Sequence, residues 1–242
     1  MTEIILGLIT GTLIGLVGVG GILLAPLLVF FLDMDIHSAM ATCSWSFLFT
    51  GLTGSFTYAR KKSVSWPMVL WISIGIIPGA VLGAVTNADL SKTTLLIILA
   101  LLIGFSGVHA LFKKMDTTTP PIKLKVWILG LIGFGLGFGS ALTGTGGPVL
   151  LIPILLFLHF PVLKSIGVSQ VIQLPIALFA TLGFYFDKQV DIDFALGTKL
   201  GVVQALAVFL GAYIAHRIST RKLQKIVAVI LIGVACFMLF YK

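Results

Sequence analysis

Two short glycine runs, Gly18-Val19-Gly20-Gly21 and Gly144-Thr145-Gly146-Gly147, are the residues of this 242-residue chain best suited to chemistry. Glycine has no side chain, so the chemistry on offer is that of the backbone, whose amides can approach an anion closely. Each run interrupts an apolar stretch and is followed by a proline, Pro26 or Pro153. A helix starting just after each run points its N-terminus, and hence partial positive charge, back into the turn. Both runs therefore read as anion-binding turns, the second flanked by Thr143 and containing Thr145.

Few other polar residues fall in apolar sequence. Thr42, Cys43, Ser44 and Ser46 open one apolar stretch, and Ser165, Ser169, Gln170 and Gln173 occupy the matching place in another. Such hydroxyls and amides either coordinate oxyanion oxygens or bond their own helix backbone four residues back. The candidate substrate contacts are Gly18, Gly20, Gly21, Thr42, Cys43, Ser44, Thr143, Gly144, Thr145, Gly146, Gly147, Ser169 and Gln170. All eight acids (Glu3, Asp33, Asp35, Asp89, Asp116, Asp187, Asp191 and Asp193) fall at segment ends or in loops. No carboxylate is placed to act as a proton relay or cation ligand in an apolar segment, which suits an anion path. His37, His109, His159 and His216 read as interfacial, Lys199 as snorkelling, and the 18 phenylalanines as lipid-facing filler. Walker A, zinc-protease and nucleophile-elbow motifs are absent. Cys43 and Cys236, read as two buried thiols, make no disulfide framework or zinc site. The expectation is therefore no enzyme, no cofactor and no metal.

The elements that must position these turns are membrane segments. Hydrophobic residues make up 58%, charged residues 10%, and mean hydropathy is +1.15. A soluble domain carries about 25% charged residues to face water. The net charge of +8 sits in loops and implies no nucleic-acid partner. Met1-Thr2-Glu3 lacks the basic start of a signal peptide, so the first segment reads as retained. Apolar stretches cover 4–32, 41–59, 66–86, 93–112, 126–158, 167–186, 194–215 and 223–241. Six suit the ~20 residues that cross a bilayer. The two carrying the glycine runs are too long for one span and too short for two.

Gly18, Gly20 and Gly21 recur 126 positions later as Gly144, Gly146 and Gly147, and weaker matches follow in order through both halves. The chain reads as a duplication: residues 1–112, a cytoplasmic linker 113–125, and residues 126–242. If each overlong stretch crosses once, the loop bases divide nine to six; if each is a hairpin, twelve face Lys92, Lys188 and Lys242 alone. Positive-inside bias selects the hairpins. The expected fold is an all-α polytopic membrane protein of two inverted repeats. Each repeat is a broken re-entrant helix hairpin plus three transmembrane helices, with both termini extracytoplasmic. Hairpins entering from opposite faces can bring their tips together at mid-depth, the logic of transporters with broken helices. Glycines at four-residue spacing elsewhere (Gly7, Gly11 and Gly15; Gly75, Gly79 and Gly83) read as close-packing positions.

Gly15-Leu16-Val17-Gly18-Val19-Gly20-Gly21 running to Pro26, His37-Ser38-Ala39 before Thr42-Cys43-Ser44, and Tyr58-Ala59-Arg60 resemble the first repeat of the TauE/SafE sulfite exporter family of membrane permeases. Leu142 to Pro148, running to Pro153, resembles its partner motif. The resemblance covers essentially the whole chain. It implies transport of small anions, such as sulfite, organosulfonates or related sulfur and carboxylate compounds, across the cytoplasmic membrane. It also implies that the paired motifs hold the substrate. Two features depart from the family pattern. Gly18 to Pro26 is one residue shorter than Gly144 to Pro153, and Cys43 stands where serine is more usual. The reading is a permease working by alternating access between the tips, with a small anion and the bilayer as partners. An anion channel of the same architecture and a membrane scaffold subunit are the alternatives. The anion, direction, coupling ion and oligomeric state, a homodimer included, stay open.

Overall fold

The computed structural model describes residues 2–88, 101, 104, 108, 122, 124–186 and 190–240. Most of the expected span 93–112 and most of the 113–125 linker lie outside the described residues, as do Lys92, Lys188 and Lys242. Among the described residues there are nine α-helices, one 3-10 turn and no strand. They are α1 (Thr2–Val17), α2 (Gly21–Leu32), α3 (Ile36–Arg60), α4 (Trp66–Val85), α5 (Val126–Thr143), α6 (Pro148–Phe157), α7 (Val162–Phe186), α8 (Phe194–Arg217) and α9 (Thr220–Phe240). The protein is an all-α, multi-pass membrane protein.

Local chemistry sets the helix ends. Asp35 caps α3, accepting from the amides of His37 at 2.9 Å and Ser38 at 3.3 Å. Asp193 caps α8 through the Leu196 amide at 2.8 Å. Arg60 in α3 and Arg217 in α8 place positive charge in the last turns, where the helix dipole is negative. The acids that sequence put at segment ends are in these two cases caps. α3 starts at residue 36 and α7 at residue 162, each five residues before its apolar stretch. Polar first turns are helical once capped or stacked, although hydropathy does not register them.

Four helices, α4, α5, α7 and α8, are long and apolar enough to cross a membrane by length and composition. α3 is longer than three of them or their equal, but it carries a ladder of serines and threonines. Outward-facing side chains are apolar, as with Leu206 (68% exposed) and Phe186 (75% exposed), which is the surface a lipid solvent requires. Cys43 is buried, whereas Cys236 is exposed rather than a second buried thiol; both are free.

Helix directions follow from which residues meet. A side chain on Gly7 would touch Val203, on Gly11 Gln204, and on Gly15 Val208, so α1 and α8 run parallel. In the same way Gly75, Gly79 and Gly83 of α4 face the carbonyls of Gly130, Phe134 and Phe138 of α5, again parallel. A Cβ at most of these glycines would collide with the facing backbone, so the close-packing reading holds for both seams. α3 runs with α8, since Thr42 lies by Gly197 and Ser63 by His216. It runs against α7, since Ser63 lies by Gly167 and Gly51 by Leu174. α4 also runs against α3, since residues 61–65 join the end of one to the start of the other and Asn87, just past α4, bonds His37 in the first turn of α3; it is therefore parallel to α7, with Ala84 against Gly183. Thus α1, α3 and α8 point one way, and α4, α5 and α7 the other.

Both overlong stretches fold back on themselves. A Cβ on Gly20, at the start of α2, would collide with the Thr10 carbonyl of α1. At the other hairpin, the Ile122 amide just before α5 donates to the Leu158 carbonyl just after α6, at 3.1 Å. α5 has 18 residues, ~27 Å at ~1.5 Å per residue, enough by itself to cross. The glycines that follow it, not its length, make it half of a hairpin.

Candidate functional site

The two hairpin turns lie side by side in the interior. A side chain on Gly18 would touch Pro148 and Ile152, and one on Gly21 would stand 2.9 Å from the Thr145 carbonyl. Every residue of Gly18–Gly21 and Gly144–Gly147 is buried. Their backbones differ. The first turn leaves three residues, 18–20, outside helix, and only Gly18 has a positive φ (77°). The second leaves four, with Gly144, Gly146 and Gly147 at φ 63°, 75° and 97°. The extra turn residue accounts for the one-residue difference in glycine-to-proline spacing.

Each turn feeds directly into a helix. α2 begins at Gly21 behind Gly20, and α6 at Pro148 behind Gly147. Neither cap can offer a side chain, and neither start has a side-chain capping bond. A helix N-terminus without such a cap has amides to give, and its dipole favours negative charge. At the second turn a hydroxyl is also free. Ser140 is 1% exposed, its Oγ has no hydrogen-bond partner, and it lies 3.6 Å from where a Gly147 Cβ would stand. Thr143 Oγ1 bonds the Gly139 carbonyl at 2.6 Å and lies 3.2 Å from Thr145 Oγ1. Sequence reading passed over Ser140. The available signal was its place one helical turn before Gly144 in the same motif.

Phe47 corrects the assignment of phenylalanines to lipid. It is 1% exposed, and its ring packs 3.1 Å from a Gly21 Cβ position and 2.9 Å from that of Gly146. It sits between the turns. Phe184 is also fully buried.

The remaining expected contacts divide. Gln170 reaches the first turn's approach, donating from Nε2 to the Ile14 carbonyl at 2.6 Å, the same carbonyl that accepts from the Gly18 amide. Met40, beneath Ser44, packs against Gly144. The Ser44 hydroxyl, however, bonds the Met40 carbonyl at 3.0 Å, and Ser169 bonds the Ser165 carbonyl at 2.7 Å. Both hydroxyls are thus used by their own helix backbone. Thr42 Oγ1 accepts from the Asp193 amide at 3.1 Å, which ties α3 to the start of α8. Cys43 is fully buried in the core. Lys199 is exposed, in keeping with snorkelling.

Each hairpin is also tethered at its inner end. Tyr58 donates to the Gly15 carbonyl at 2.8 Å and packs its ring at a tilt of 51° against His216, whose Nε2 lies 3.2 Å from Ser63 Oγ. Opposite, Asn87 donates to the Leu142 carbonyl at 2.6 Å, while its own side-chain oxygen bonds His37. Each tether joins the last turn of a hairpin's first helix to the end of the bundle away from where that helix begins.

Among known proteins, the family described as sulfite exporter TauE/SafE matches residues 4–238. The chain is 27% identical to the "probable membrane transporter protein YunE" of Bacillus subtilis, over 98% of this chain and 96% of the relative. It is 28% identical to a "probable membrane transporter protein" of Methanocaldococcus jannaschii, over 98% and 94%. It is also 28% identical to the Bacillus subtilis protein YjnA of the same description, over 95% of each. No solved structure matches the chain.

Proposed function

Because the chain belongs to the sulfite exporter TauE/SafE family, we propose that it carries a small anion across the cytoplasmic membrane by alternating access, at a site between the two glycine turns. The observation that carries this reading is the meeting of two buried helix N-termini, both capped by glycine, beside the unpartnered Ser140 hydroxyl. Backbone amides and a hydroxyl are the donors that an oxyanion such as sulfite, a sulfonate or a carboxylate accepts from. The protein acts as a carrier and not as an enzyme.

The opposed directions of α1 and α5, α3 and α7, and α4 and α8 support two inverted repeats. So does the way each half's first helix seams against the second of the other half's three expected spans, α1 on α8 and α5 on α4. Under that arrangement the Arg60–Lys62 and Arg217 ends face the cytoplasm, as does the linker, and both termini lie outside. Each tether, Tyr58 to Gly15 and Asn87 to Leu142, then closes one side of the path and is released when that side opens.

Purified protein in liposomes is expected to show saturable uptake of labelled sulfite or a sulfonate, accelerated by unlabelled anion on the far side. Non-saturating current without counterflow would replace the carrier with a channel. Reporter fusions after Lys62 and at Lys242 are expected on opposite sides of the membrane; the same side for both sinks the hairpin topology.

A further inference from the structure

Around Phe47, α3 is built of small and hydroxylated residues: Cys43, Ser44, Ser46, Thr50 and Gly51 are all buried with it. The ring enters the molecule where two glycines leave room. Its Cζ and Cε1 lie 3.1 and 3.4 Å from the Cβ position of Gly21, the first residue of α2. Its Cδ2 and Cε2 lie 2.9 and 3.0 Å from that of Gly146, two residues before α6. One ring thus touches both helix starts, with a different edge to each.

The ring is held in place from α7. Thr50 Oγ1 donates to the Phe47 carbonyl at 3.1 Å and accepts from Gln173 Nε2 at 2.9 Å. At the matching place in the second half, 126 positions on, stands Gln173 itself, so the ring belongs to the first half's sequence and not to the shared motif.

A phenyl ring has no polar atom to give an anion, but its C–H edge is the positive part of its quadrupole, and an edge faces each turn. It therefore tolerates negative charge at the helix starts while taking up volume between them. Packed interiors yield to an added methylene only with strain, so a ring in that place sets how much room remains.

We propose that Phe47 is a specificity-determining residue of the anion site: its ring limits the size of the group that an anion can carry between the turns. The proposal rests on the anion reading above and deepens it.

The test is a chain-length series, with methane-, ethane-, propane- and butanesulfonate titrated by calorimetry into the purified full-length protein and sulfite as the chain-free reference. In the wild type, affinity is expected to fall about tenfold or more from the shortest sulfonate to the longest. In Phe47→Leu and Phe47→Ala the longer chains are expected to gain about tenfold relative to methanesulfonate, while sulfite binds as before. Phe184→Leu alters a ring as fully buried, two helical turns along α7 from Ile176, and is expected to keep the wild-type profile. A folded Phe47 variant with the wild-type profile overturns the proposal, as does the same shift in Phe184→Leu, which would mark general loosening. Equal affinity across the series in the wild type also overturns it and leaves the anion site standing. Binding of neither sulfite nor any sulfonate instead removes the anion reading beneath it. Should Phe47→Ala and Phe47→Leu not fold, Phe47→Met and the wild-type profile decide.

Discussion

The two glycine turns share a motif and meet in space, yet they use their glycines differently. In the first, Gly20 has ordinary helical dihedrals (φ −61°), and its lack of a side chain lets α2 fold hard against the Thr10 carbonyl of α1. In the second, Gly144, Gly146 and Gly147 lie in the positive-φ region that L side chains avoid, and most of what surrounds them is side chain: Met40, Phe47 and Ile176. The first is a close-packing device with one left-handed residue. The second is a conformational device carrying the hydroxyls. Equivalent sequence thus permits unequal geometry: both turns lead into a helix N-terminus, but only the second carries hydroxyls beside it.

The largest effect should come from Gly20→Val. Its branched side chain meets backbone that has no room to move, which costs about 3 kcal/mol or more. The folded peak on size-exclusion chromatography is expected to vanish. Gly146→Ala should be milder in folding and severe in function, because the φ of 75° costs about 1–2 kcal/mol and Phe47 has to shift. Folded protein without anion flux is expected. If Gly146→Ala instead unfolds the protein and Gly20→Val does not, the contrast between the turns is wrong.

Ser140→Ala sharpens the contrast. The hydroxyl has no partner to lose, so the melting temperature should hold or rise, while the dissociation constant for the anion rises about tenfold, or ~1.4 kcal/mol. Unchanged affinity would move the anion's polar contact elsewhere. Tyr58→Phe removes the tether to Gly15 and should cost about 1 kcal/mol, read as a drop of a few degrees in melting temperature. The smallest change is Gly130→Ala. An added Cβ there meets nothing within 4 Å, so stability should stay level or improve by up to about 1 kcal/mol from helix propensity. A marked loss at Gly130 would mean that every glycine of the α4–α5 seam is needed, not just those facing the neighbouring helix.

Much of the fold could be read from residue order. The overlong stretches announced hairpins, and the four-residue glycine spacings announced the α1–α8 and α4–α5 seams. Of the candidate site, the two glycine runs and Gln170 stand together as expected. Ser44 and Ser169 looked equivalent to them in sequence, but a serine's choice between a ligand and its own carbonyl depends on rotamer and neighbours. Phe47 was unreadable for a related reason. A phenylalanine in an apolar helix suits lipid and interior equally, and only the position of two distant glycine turns puts it between them.

Composition and spacing by themselves determined that the chain lives in a membrane, that it is helical, and that its two glycine runs break helices. Those are local consequences of hydropathy and of a missing Cβ. Tertiary structure decided that the breaks meet, that Thr42 bonds the start of α8, and that Ser140, Gln170 and Gln173 keep unpaired oxygens. Whether a buried polar atom is satisfied depends on groups more than a hundred residues away, as Gln173 is on Thr50 and Gln170 on Ile14. That accounting exists only once the helices are packed.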